Sequence, residues 1–177
     1  MTILKTGLLL GALILTAVVQ SACTKSEQNG DAAKAPLSRA EAEQMALAKY
    51  PGSYLIGSEV EVDEGKRFYE IEVRASANVY ELTIDAAAGE VIETEDNTMD
   101  FQADSTAGKA PLWTVNLADR DAAEAAALQA HPGETQQWKA VTDEGREAFS
   151  FEIKNEAGEI KKIVVQAGTN EVLEVKP

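Results

Sequence analysis

The sequence predicts an α+β fold of two tandem modules, each one helix packed on a three- to four-stranded antiparallel sheet. Three observations predict it. Arg67 to Glu95 (RFYEIEVRASANVYELTIDAAAGEVIETE) holds two runs of alternating apolar and polar residues, then a third short run after Ala88-Gly89. Period-two alternation is the mark of a half-buried strand. The same order returns, degraded, in Glu147 to Val175. Each block follows a helix-favouring stretch closed by Pro-Gly, at Tyr50-Pro51-Gly52 and at His131-Pro132-Gly133. The chain therefore divides into a signal peptide (1–22), a tether (23–35), a first module (36–96), a linker (97–111) and a second module (112–177).

The first segment reads as an address. Lys5 gives it a positive start, and Gly7 to Val19 is an apolar run short for a bilayer span, with small residues after it. That is the layout of a secretory signal peptide. Ser21-Ala22-Cys23 resembles a bacterial lipobox, in which the cysteine is lipidated and becomes the new N-terminus. Gln20 departs from that pattern, since an aliphatic residue is usual there. The stretch after Cys23, TKSEQNGDAAKAP, is polar, small and without periodicity, as a tether would be. Cys23 is thus the expected lipid anchor, and the cell envelope the expected location. In a Gram-negative host Thr24 resembles an outer-membrane sorting signal, which would face the modules to the periplasm.

In the first module Ser38-Arg39-Ala40-Glu41 has the form of a capping box. Ala42, Met45, Ala46 and Lys49 fall at helical spacing, and Pro51 ends the helix at about Lys49. Val60 and Val62 then alternate with acids, and Glu64-Gly65 is a hairpin turn. Tyr69, Ile71 and Val73 share one face of the next strand, and Tyr80, Leu82 and Ile84 one face of the third. Asp85 to Gly89 turn the chain into a short strand from Val91. A helix ending in Tyr-Pro-Gly, then FYEIEV, then a Tyr-containing strand running into Asp85-Ala-Ala-Ala-Gly89-Glu90-Val91-Ile92, resembles the PepSY domain. The resemblance spans nearly all of Leu37 to Glu95. It implies a helix-on-sheet module found in peptidase propeptides and in standalone envelope proteins.

The second module keeps the punctuation. Asp119 stands for Ser38 as helix cap. Ala123, Glu124, Ala127 and Leu128 stand for Ala42, Glu43, Ala46 and Leu47, and Asp143-Glu144-Gly145 repeats Asp63-Glu64-Gly65. Phe149, Phe151 and Ile153 repeat Tyr69, Ile71 and Val73. The hallmark turn is altered, with Gln166 for Asp85 and Asn170 for Gly89; asparagine tolerates the left-handed backbone that glycine supplies. Trp138 falls near the position of Gly57. Leu112 to Val115 has no counterpart, and reads as an added strand or as a contact between modules.

The chemistry these residues allow is limited. A net charge of −14 argues against nucleic acid, because like charges repel. One Cys and one His build neither a disulfide framework nor a zinc cluster. His131 is the only candidate base for a triad, no motif places a nucleophile beside it, and it reads as a structural histidine. The carboxylates Glu59, Glu61, Asp63, Glu70 and Glu72 alternate with core positions, as a solvated acidic face does. No cofactor, metal site or catalytic residue is expected, and the chain does not read as an enzyme. Trp113 and Trp138 read as core residues or as binding anchors, and Tyr69 and Tyr80 are the aromatic residues on the strands that join them as candidate partner-binding positions. The function these readings imply is a non-catalytic envelope binding protein that inhibits or regulates a protease, taking an extended segment by strand addition. The alternative is a scaffold lipoprotein that binds a non-protease envelope partner. The membrane would be met only through the N-terminal lipid.

Overall fold

In a computed structural model of the chain, the structure describes residues 35–177. The signal segment and Cys23 lie outside the described residues. The first helix, α1 (Arg39–Lys49), starts at the expected capping box: the Ser38 hydroxyl accepts from the Glu41 amide and the Glu41 carboxylate accepts from the Ser38 amide. Four strands come after it, β1 (Tyr54–Asp63), β2 (Lys66–Ala75), β3 (Asn78–Asp85) and β4 (Glu90–Asp96). Two more helices come next, α2 (Thr98–Thr106) and α3 (Leu117–Ala130), and then β5 (Glu134–Asp143), β6 (Arg146–Lys154), β7 (Ile160–Gln166) and β8 (Val172–Lys176).

The strands form one antiparallel sheet in the order β4-β3-β2-β1-β5-β6-β7-β8. This corrects the expectation of a separate sheet for each module. A four-stranded sheet beginning with β1 leaves that strand's edge unpaired, and each half covers the other's edge. The β1–β5 seam consists of the pairs Gly57–Lys139, Ser58–Trp138 and Glu59–Gln137. This register is its own image under a half-turn through Ser58–Trp138, which carries Gly57 onto Gln137 and Glu59 onto Lys139. Trp138 therefore corresponds to Ser58, one place from the Gly57 expected. Both seam strands carry a bulge, at Leu55/Gly57 and at Thr135/Gln137. Both first hairpins turn through Glu-Gly with positive φ at each residue, 48° and 78° at Glu64-Gly65 and 48° and 81° at Glu144-Gly145.

Helices α1 and α3 lie on the same face of the sheet. Their alanines, Ala42 and Ala46 on α1 and Ala123 and Ala127 on α3, are fully buried and let the helix backbones approach closely. Beneath them Ile71, Val73, Leu82 and Ile84 continue into Trp138, Phe149, Phe151 and Ile163 as one core.

Three local expectations change. The cap of α3 is Asn116, whose side chain accepts from the Ala118 amide at 2.9 Å. Asp119 sits inside the first turn, where its charge favours the helix dipole. The stretch expected as plain linker contains α2, which packs Phe101 against the core and leaves Met99 exposed. Leu112 to Val115 is not a strand: Val115 is buried and Trp113 meets Phe149 edge-on at 5.3 Å.

Candidate functional site

The most elaborated constellation of polar side chains lies where α1 and α3 meet above the seam. Arg39 and Glu43 are one turn apart on α1, and the half-turn sets Arg120 and Glu124 of α3 in the equivalent places. The four exchange partners. Arg39 Nη2 donates to both carboxylate oxygens of Glu124 at 2.7 Å. Arg120 donates to Glu43 through two nitrogens at 2.8 and 3.0 Å. Arg39 also reaches Glu43 at 3.6 Å. The Trp138 indole N–H donates to Glu43 at 2.9 Å, and the Arg120 guanidinium lies 4.7 Å from the Trp138 ring centroid.

Burial makes these bonds matter. The side chains of Glu43 and Arg120 are 3% and 6% exposed. Burial alone would push the Glu124 carboxyl up, but the hydrogen bonds and charge of Arg39 hold it below its ordinary value. Burial likewise works against the Arg120 charge, and Glu43 more than offsets it, so that Arg120 is raised. A charge buried this deeply is tolerable only with its partner in place. The cluster is a clasp between the two halves. It borders a cleft of about 780 Å³ whose walls include Leu37, Arg39, Val60, Arg67, Leu128 and Thr135.

The opposite face of the sheet is different in character. Two rows of side chains cross all eight strands, set by the strand register. One runs Glu95, Glu81, Glu72, Gly57, Lys139, Ser150, Val164, Glu174; the other runs Glu93, Thr83, Glu70, Glu59, Gln137, Glu152, Lys162, Lys176. The first half of the sheet thus opposes carboxylates across its strands, which is unfavourable. Burial, with the neighbouring charges of Glu81, Glu61 and Glu59, raises the Glu70 carboxyl to about 7, and burial with Glu72 raises Glu81. At the seam Gln137 donates to Glu59, and Lys139 lies 3.6 Å from Glu72. Among the described residues no group of three His, Cys, Asp or Glu side chains is placed to hold a metal ion.

The candidate partner-binding residues form no shared surface, although Trp113 and Trp138 both meet Phe149 edge-on, at 5.3 and 6.2 Å. Trp138 is wholly buried in the clasp and offers no surface to a partner. Tyr69 is 3% exposed, and its hydroxyl donates to the Leu37 carbonyl at 3.0 Å. Both are therefore core residues, because their strand positions point under the helices. Tyr80 is half-buried and stacks on Tyr50, with centroids 4.6 Å apart and planes 7° apart. Trp113 is half-buried at the end of the sheet. His131 is buried beside the core, and its Nε2 has no hydrogen-bond partner among the described residues. Asp85 caps its own turn, its Oδ1 accepting from the Ala87 and Ala88 amides, which hold its carboxyl below the usual range.

Residues 36–95 match the model of the PepSY family, the peptidase propeptide and YPEB domain. The matched segment runs from just before α1 to the penultimate residue of β4, and so takes in Arg39, Glu43 and the whole β1 side of the seam. The fold of the longer chain is shared with the crystal structure of a "putative lipoprotein" from Clostridium difficile 630. The two superpose with a TM-score of 0.51 at 20% identity, over 80% of this chain and 93% of that one. No curated protein matches the chain.

Proposed function

We propose that this is a non-catalytic, lipid-anchored protein of the cell envelope that regulates a protease by binding. The observation that carries the reading is the match of residues 36–95 to a propeptide-type family. The half-turn relation supports taking the second half as another PepSY-like copy, with the module limits 36–96 and 112–177. The signal-like start, Cys23 and the shared fold of a protein described as a lipoprotein support the envelope location, with the outer membrane facing the periplasm in a Gram-negative host. Binding without turnover is the role a propeptide-type module performs, and an antiparallel sheet offers edges to an extended segment.

The test titrates the chain from Thr24 onward into envelope proteases and monitors cleavage of their substrates. Saturable inhibition at constant substrate is expected. No inhibition, together with no capture of protease-derived peptides, would sink the proposal. Intact mass of the membrane-extracted protein tests the anchor, with an acyl mass expected on the natural chain and absent from Cys23→Ala.

A further inference from the structure

The two outer strands, β4 and β8, each leave one edge unpaired among the described residues, and the half-turn relates them. It carries Glu93, Thr94 and Glu95 onto Glu174, Val175 and Lys176, because Thr83–Glu93 and Val164–Glu174 are equivalent pairs, each beside a bulge. The backbone phase is fixed at both edges. The Gln166 amide donates to the Glu171 carbonyl at 2.8 Å, and the Ala167 amide turns the other way, to the Glu147 carbonyl. Even-numbered residues of β7 therefore bond to β8, which draws the amides and carbonyls of Glu174 and Lys176 inward. Those of Val175 point out from the edge. The Asn97 amide donates to the Val79 carbonyl, which puts Thr94 in the same outward phase on β4.

The side chains make the two edges different. A second copy can be brought antiparallel to either edge about a twofold axis through its outward residue. On β8, Val175 then meets its own image as a hydrogen-bonded pair, each amide donating to the other's carbonyl. Glu174 stands across from Lys176 on both sides of the axis. These are non-hydrogen-bonded pairs, in which side chains lie closest. On β4 the same operation sets Glu93 against Glu95 twice, which is unfavourable. Within its own strand Glu174 already meets Lys176 at 2.7 Å, on side chains 41% and 59% exposed. The axis closes two such pairs into a square of alternating sign, so no existing contact is given up. It also sets a carboxylate beside Lys176 at the end of a row where Lys162 and Lys176 are neighbours. Val175 is 50% exposed next to the wholly buried Ile163, and its image covers it.

We infer that the β8 edge binds the β8 edge of a second copy, joining two eight-stranded sheets into one across a twofold axis at Val175. The head-to-tail alternative lays β8 on the β4 edge of the next copy. With Val175 opposite Thr94 it sets Lys176 against Glu93 but Glu174 against Glu95, one attraction and one repulsion. The contact of β8 with itself has two attractions and no repulsion, and it closes at two copies. The β4 edge stays free. The strand is five residues long, and an edge of that length buries well under a standard interface, so the dimer is of the weak, transient class. It stands independently of the proposed protease role.

Sedimentation of the chain from Thr24 onward, from about 10 µM to about 1 mM in about 0.15 M salt, reads the association. A monomer–dimer equilibrium is expected, with the Val175 amide exchanging more slowly as concentration rises and the Thr94 amide unchanged. Glu174→Lys and Lys176→Glu should each weaken association by roughly tenfold, since both charge pairs turn repulsive. The two variants mixed should associate with each other as the natural chain does with itself, because each supplies the sign the other lacks. The double variant Glu174→Lys/Lys176→Glu should regain self-association. A monomer throughout the range would overturn the inference. So would undiminished association in either single variant, mixing without recovery, protection of Thr94 in place of Val175, or growth beyond two copies.

Discussion

At the scale of single residues, the clasp and the acidic face make opposite demands on pH. Glu70 holds its proton more tightly folded than unfolded, with a folded value raised to about 7, so its contribution to stability is full at low pH and is lost as pH rises through 7. Glu124 is lowered on folding, so its contribution is present above its ordinary range and lost as pH falls through the folded value. Thermal melts should therefore peak in mildly acidic buffer and decline toward pH 8. Glu70→Gln should flatten the alkaline limb alone. Removing one partner from the clasp, as in Arg120→Ala, leaves Glu43 buried and should cost about 3–5 kcal/mol in denaturant unfolding. These residues were only half legible. Glu43 and Glu124 stand out as repeated positions, but Arg39 and Arg120 look like ordinary solvent-facing helix residues. Their role depends on two helices lying side by side, and helical spacing within one segment carries no information about that.

At the scale of elements, the Pro-Gly helix ends show how similar motifs reach different outcomes. Gly52 has φ +83°, with no atom within 4 Å of an added Cβ, so Gly52→Ala should cost about 1–2 kcal/mol of left-handed strain. A Cβ on Gly133 would lie 2.3 Å from the Lys154 carbonyl oxygen, so Gly133→Ala should push β5 and β6 apart. It is expected to be the more destabilising of the two in parallel unfolding curves. Asn116→Ala should cost about 1 kcal/mol by removing the α3 cap, with Asp119→Ala costing less in the same measurement. The α1 cap was legible because Ser38 and Glu41 fulfil a local rule. The α3 cap was displaced because Asp119 aligned with Ser38, while the residue that bonds a free amide lies three places earlier. The start of β1 was hidden for another reason: the bulge at Leu55/Gly57 breaks the alternation that identifies a strand.

At the scale of the whole molecule, the helix-and-strand content of each half was readable and their union was not. The edges of β1 and β5 carry no signal that they seek each other, since backbone pairing is indifferent to the side chains that sequence patterns record. Because one core and one sheet run through both halves, unfolding should be a single transition by circular dichroism and by Trp fluorescence; two separated transitions would contradict a shared core. The Ser58–Trp138 pair on the half-turn axis carries a consequence for identity. A side chain on such an axis faces its own image, with the two Cβ atoms about 5 Å apart. An indole opposed to an indole there would be overcrowded beneath the helices, and a serine opposed to a serine would leave a hole. One large and one small residue fill the space together. The halves are thus complementary as a lock and its key are, and neither can stand in for the other. Duplicate copies of either half should fail to close this seam, and partnership is written into the one position where the internal symmetry had to be abandoned.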